Sequence, residues 1–302
     1  MLTIYMDSIV STDFKSESNG TNESNQMSQN SVVLKNGLYR QKQEECLAEY
    51  NGVSKEKSNI DFSKIYKEVY ELANSEQSIS KAITHALNVI EESLRRYGPN
   101  GVSLSFNGGK DCVVLLHLFA AVYYKHFQDS VDIPNIQAVY ITHPNPFLEV
   151  EEFVKECVDR YGLDLITIEG PMKSALAKYL EQRPNVQAIL VGTRRIDPHG
   201  ENLLEFVPTD PGWPPFMRIH PIIDWHYSQV WEFLRILNIQ YCVLYDLGYT
   251  SLGSIDNTYP NPDLRNPSQP SGYDPAWKLA DESRERCGRE KSTSSSTSNS
   301  SI

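Results

Sequence analysis

From residue 61 onward the chain alternates between two hydrophobic rhythms. DFSKIYKEVYELAN, at 61–74, carries Phe62, Ile65, Tyr66, Val69 and Leu72 on one side, a three-to-four-residue spacing that predicts a helix. Ile79, Ile83, Leu87, Ile90 and Leu94 continue that spacing in a second helix, which Gly98-Pro99 stops. VSLSF, 102–106, then predicts a strand, and 111–127 a helix with Leu115, Leu118, Phe119 and Val122 facing inward. NIQAVYIT (135–142) is a second strand. Asn145-Pro146 is expected to cap and start a helix that runs to Tyr161 and stops at Gly162. LDLITIE (163–169), 172–182 and QAILVGT (187–193) read as strand, helix and strand. Strands separated by helices of this length imply an α/β fold with a doubly covered, mostly parallel sheet. Ligands of such sheets bind beyond the carboxyl ends of the strands. That brings NGGKD, THPNP and GTRRIDP towards one site.

Beyond Pro198 the rhythm breaks. HGENLLEFVPTDPGWPPFMR, 199–218, reads as a long ordered loop, of the kind that is usually functional in a folded domain. RIHPI follows as a short strand, SQVWEFLRILN (228–238) as an amphipathic helix, and YDLGYTSLGS as a turn-rich loop. WKLADESRERCGRE is expected to be a charged helical segment ending near Arg289.

Composition sharpens the boundaries. Of 302 residues 40% are hydrophobic, and the deficit sits at the ends, in KSESNGTNESNQMSQNS (15–31) and STSSSTSNSSI (292–302). Such stretches cannot bury enough apolar surface to offset their entropy. The expected organisation is a mostly disordered polar segment at 1–59, one folded domain at 60–290 and a disordered Ser-rich tail at 291–302. The net charge of −11 argues against nucleic acid as a partner, so any phosphate ligand needs positive groups gathered locally. The cysteines, at 46, 112, 157, 242 and 287, form no metal or redox spacing and suit reduced thiols in a cytoplasmic protein. No apolar run approaches the roughly 20 residues of a membrane span.

Four stretches carry candidate chemistry. In NGGKD, glycines before a helix start let backbone N–H groups approach a phosphate, although a plain Gly-Gly turn is the alternative. Asp111 is either functional or a complement to the helix dipole. In GTRRIDP, Arg194 and Arg195 can fork onto phosphates and Asp197 can accept from a ligand N–H, or the loop is merely salt-bridged. In TDPGWPPFMR, Trp213 can stack on a planar ligand beside Arg218, or it is a core tryptophan. In RERCGR, Arg286 and Arg289 share a face if the segment is helical, or that face is simply solvated. The chain shows no sign of an activated nucleophile of its own.

Together SFNGGKD, VGTRRIDP, PTDPGWPPFMRIHPIIDW, YCVLYDLGYTSLGS and RERCGR resemble the eukaryotic-type FAD synthetases of the phosphoadenylylsulfate-reductase-like family, over about residues 80–290. Ile196 stands where that family usually has threonine. The resemblance implies an adenine nucleotide alpha hydrolase-like (ATP-pyrophosphatase-type) fold. It also implies transfer of AMP from ATP to FMN, giving FAD and pyrophosphate, with Mg²⁺. On its pattern Asn107, Asp111, Arg286 and Arg289 are catalytic. Ser105, Gly108, Gly109, Lys110, Gly192 and Arg194 bind ATP, while Arg195, Asp197, Trp213 and Arg218 bind the flavin. Asp111 is the candidate metal contact, and client apo-flavoproteins are candidate partners. A sulfonucleotide reductase using Cys287 and a non-catalytic nucleotide binder remain as alternatives.

Overall fold

The computed structural model describes residues 61–289 apart from 131 and 143. The expectations for 1–59 and for 291–302 lie outside the described residues. Helix α1 (Phe62–Ala73) starts where the Asp61 carboxylate accepts from the N–H groups of Ser63 and Lys64. Helix α2 (Ser80–Tyr97) ends at Gly98, as its positive φ requires. Then β1 (Val102–Ser105), α3 (Lys110–Phe127), β2 (Ile136–Thr142), α4 (Leu148–Tyr161), β3 (Leu163–Glu169), α5 (Met172–Gln182) and β4 (Ala188–Leu190) follow in turn. Two short strands, β5 (Phe206–Pro208) and β6 (Met217–Ile219), and helix α6 (Tyr227–Ile236) complete the regular elements.

The six strands lie in the order β3-β2-β1-β4-β6-β5. All neighbours are parallel except β5 and β6, which pair antiparallel at the edge. Successive side chains point to opposite faces of a strand, and the core divides accordingly. Leu104, Ala138 and Leu190 join the larger cluster with α1 to α4 and α6, whereas Val139 and Ile189 join a smaller one with α5. Ser103 faces the smaller cluster and satisfies its hydroxyl on Tyr179, 2.6 Å away. The chain runs from β1 through β2 to β3 on one side and returns through β4 on the other. The carboxyl ends of β1 and β4 therefore flank the switch point, where a doubly wound sheet opens a crevice.

Three expectations change. The helix after β2 begins at Leu148, not at Asn145. Asn145 adopts φ 55°, its carbonyl accepts from Ile255 N–H, and its amide donates to Asp256. Its side chain is thus used to tie two loops rather than to cap a helix. The stretch 199–218 is not all loop, because β5 forms within it against β6. The C-terminal segment is not an α-helix: it makes 3₁₀ turns at Ala276–Lys278 and Glu282–Arg284 and a bridge from Arg289 to Thr258. Leu104→Ala, at a fully buried position of the central strand, is expected to lower the unfolding free energy by about 2–5 kcal/mol in urea titrations.

Candidate functional site

The loop after β1 is built to turn tightly into α3. Gly108 adopts φ 73°, and a Cβ there would lie 3.1 Å from Val154, so α4 packs against bare backbone. Asn107 braces the turn by accepting the Gly109 N–H at 2.9 Å. The Lys110 N–H donates to the Tyr245 hydroxyl at 2.9 Å. Two of the N–H groups that the sequence offers to a phosphate are therefore engaged inside the protein. Ser105 stands half-buried at the end of β1.

The Lys110 side chain is 2% exposed, with its ammonium over the rings of Tyr227 and Tyr245. It donates to Asp111 at 3.0 Å and to Glu285 at 2.5 Å. Arg194, fully buried, places Nη2 2.7 and 2.6 Å from the two oxygens of Glu285. Its Nε lies 2.8 Å from Asp111 Oδ1, an ion contact off the hydrogen-bond direction. Two cations and two carboxylates thus close a ring at the switch point. Gly192 lets β4 come this near, since a Cβ there would stand 3.2 Å from the Cys112 amide. Burial would raise the Asp111 carboxyl, but Arg194 and Lys110 hold it below its ordinary value of 3.8. Burial would likewise lower the Lys110 ammonium, yet Asp111 and Glu285 hold it above its ordinary value. The Nη1 group of Arg194 is buried with no hydrogen-bond partner among the described residues.

The GTRRIDP loop curls back on itself. Asp197 accepts the Arg194 backbone N–H at 2.8 Å. Arg195 is exposed and holds the loop through Asp224 and the carbonyls of Glu201 and Leu203. Arg195, Ile196, Asp197 and His199 line an open cleft of about 460 Å³. Trp213 and Arg218 do not line it. Trp213 is half-buried against the α5-side cluster. Arg218, in register with Ile189 on β4, donates to the Pro208 carbonyl at 3.0 Å.

The last described residues fold over the site. Arg289 donates to the Leu252 carbonyl at 2.8 Å, and its guanidinium lies flat on Gly253, where a Cβ would meet it at 2.3 Å. Arg286 is half-buried and pairs with no carboxylate among the described residues. Glu285 is the residue that sequence reasoning missed. RERCGR drew attention for its arginines, and the acid alternating with them was the available signal.

The carboxylates fit no self-sufficient metal cage: among the described residues no group of three or more His, Cys, Asp or Glu side chains converges. Both oxygens of Asp111 already face a cation. Among the described residues no helix is long and apolar enough to cross a membrane.

The phosphoadenosine phosphosulfate reductase domain matches residues 101–184 and 168–260 in two overlapping stretches. A probable FAD synthase of Schizosaccharomyces pombe is 44% identical over 225 residues, 74% of this chain and 84% of that protein. The flavin adenine dinucleotide synthase of Saccharomyces cerevisiae is 32% identical over 251 residues, 73% of this chain and 82% of that one. The crystal structure of Candida glabrata FMN adenylyltransferase in complex with FAD and inorganic pyrophosphate superposes with a TM-score of 0.68 at 28% identity, over 76% of this chain and 96% of that one.

The ring predicts an acid-sensitive fold. Because the folded Asp111 carboxyl titrates below its ordinary value, its contribution is fully present above that ordinary value and is lost as pH falls from there through the lower folded value. Asp111→Asn is expected to cost about 3 kcal/mol at neutral pH, since it leaves Lys110 and Arg194 short of a counter-charge. Its loss of stability from about pH 5 to about pH 3 should be shallower than that of the wild type, as read from urea unfolding across that window.

Proposed function

The chain belongs to the FAD synthases and carries the phosphoadenosine phosphosulfate reductase domain, and from that premise we propose that its site transfers AMP from ATP to the phosphate of FMN. An oxygen of the FMN phosphate forms a bond to the α-phosphorus of ATP. The bond from that phosphorus to the bridging oxygen of the β-phosphate breaks, and pyrophosphate leaves with the electron pair. The nucleophile is already an anion at neutral pH, so no base has to take a proton from it. What the protein must supply is alignment of two mutually repelling anions and donors for the charge that develops.

The observation that carries this reading is the meeting of two buried cations, Lys110 and Arg194, at the switch point, with Arg286, whose guanidinium pairs with no carboxylate among the described residues, on the segment that folds over them. In this assignment Ser105, Gly108, Gly109, Lys110, Gly192 and Arg194 surround the ATP phosphates. Asn107 shapes the loop at the reacting centre through its bond to Gly109. Arg286 and Arg289 close from the C-terminal side. Asp197 takes the flavin's polar edge beside Arg195, at the cleft after β4. Trp213 and Arg218, which share the α5 face of the sheet, are the remaining flavin contacts. Mg²⁺ fits only as an ion carried on the ATP phosphates and their waters, with Asp111 the adjacent carboxylate. When bound there it would neutralise charge on the departing pyrophosphate.

Burial pushes the thiols of Cys112, Cys157 and Cys242 up to about 12. A reductase chemistry would therefore rest on the exposed Cys287 alone among the described cysteines. The free thiols suit a cytoplasmic setting, in which client apo-flavoproteins would receive the product.

Pyrophosphate release from ATP is expected to require FMN. Release at the same rate without FMN, or none with it, overturns the assignment. Asp197→Ala is expected to raise KM for FMN by about tenfold and KM for ATP by far less, in steady-state assays varying each substrate. Equal increases would remove Asp197 from the flavin site.

A further inference from the structure

We propose that Glu285 is a positioning residue of this site: its buried carboxylate holds the Lys110 ammonium and the Arg194 guanidinium in the fixed arrangement in which they meet the ATP phosphates. The proposal deepens the adenylyl-transfer function above and rests on it. Lys110 and Arg194 come from different segments, the start of α3 and the loop after β4. Asp111 touches both cations, but it is the chain neighbour of Lys110 and moves with α3. Glu285 reaches both from a third segment, through two bonds to Arg194 and one to Lys110.

Two like charges in a dry site repel each other, and a carboxylate between them keeps both charged and still. It also leaves donors over. Nη1 of Arg194 remains buried without a partner among the described residues, as expected of a group kept for a ligand.

The backbone around Glu285 is clamped, which argues that it stays in place when phosphates arrive. Thr250 donates its hydroxyl to the Glu285 carbonyl at 2.6 Å. The Asn261 amide donates to the Arg284 carbonyl at 2.8 Å and to the Thr250 hydroxyl at 3.0 Å. Both clamping side chains are at most 1% exposed. Arg284 forks onto Asp263 from the outer side. Thr250 and Asn261 hold the backbone at Glu285 and Arg284, so their effect on the site passes through Glu285.

The test separates binding from turnover. Glu285→Gln keeps the shape and removes the charge. Its kcat is expected to fall by at least about tenfold. Its affinity for ATP, measured by calorimetry without FMN, should be unchanged or tighter, because the cluster gains a net positive charge. KM for FMN should hold. Thr250→Val, which keeps the carboxylate but frees its carbonyl anchor, is expected to shift kcat in the same direction by a smaller factor. It also serves if the glutamine variant fails to fold.

Unchanged kcat in both variants overturns the proposal. Tighter ATP binding with kcat kept or raised also overturns it, making Glu285 a stand-in that phosphate displaces. A parallel loss of ATP affinity, FMN affinity and kcat, tracking a lowered melting temperature, reduces Glu285 to a structural residue. Wild-type protein that releases no pyrophosphate with FMN overturns the function itself, an outcome distinct from any of these.

Discussion

The interaction on which the site depends is the closed ring of Lys110, Asp111, Arg194 and Glu285. A single charge taken out of water costs several kcal/mol even after relaxation, and removing one member of a buried pair leaves that cost uncompensated. Each of the four charges therefore requires the others. The ring thereby ties the loop after β1, the loop after β4 and the C-terminal segment, three pieces of chain with no shared backbone hydrogen-bond ladder. The hydroxyl of Tyr245 adds a fourth tie at the Lys110 amide.

The sheet makes this ring possible by delivering its members to one end. Parallel strands all release their chains in the same direction, and the reversal between β1 and β4 leaves a gap there that no crossover helix fills. Alternating faces then assign the rest of each strand to one of two cores, so the strand ends cannot slip without exposing apolar side chains. The protein is strongly acidic overall, at −11, yet its buried cations stand where the loops converge. Positive charge is thus concentrated by topology rather than supplied by composition.

Most of the architecture was legible in the chain. The periodicities of Phe62 to Leu72 and of Ile79 to Leu94 mark α1 and α2, and Gly98 and Gly162 stop helices where they were expected. The elements that were not legible are those stabilised from a distance. Asn145 has the side chain of a helix cap, but the 254–256 segment claims it. Phe206–Pro208 has no strong strand pattern and pairs only because β6 lies beside it. WKLADESRERCGRE has the charge pattern of a solvated helix. It forms 3₁₀ turns instead, because Thr250, Asn261 and Tyr259 claim its backbone groups.

The site divides in the same way. The motifs by themselves determined that a glycine-turned loop precedes α3, that arginines follow β4, and that the chain resembles FAD synthetases. Turn geometry, helix starts and family motifs are written in a few adjacent residues. Tertiary structure alone decided that the aspartate after the lysine in NGGKD is balanced by Arg194, and that Arg195 is used to hold its own loop. It alone decided that a glutamate 175 residues away from Lys110 completes the ring. The stability of a buried charge depends on which other charges the fold brings beside it, and no stretch of sequence contains that information.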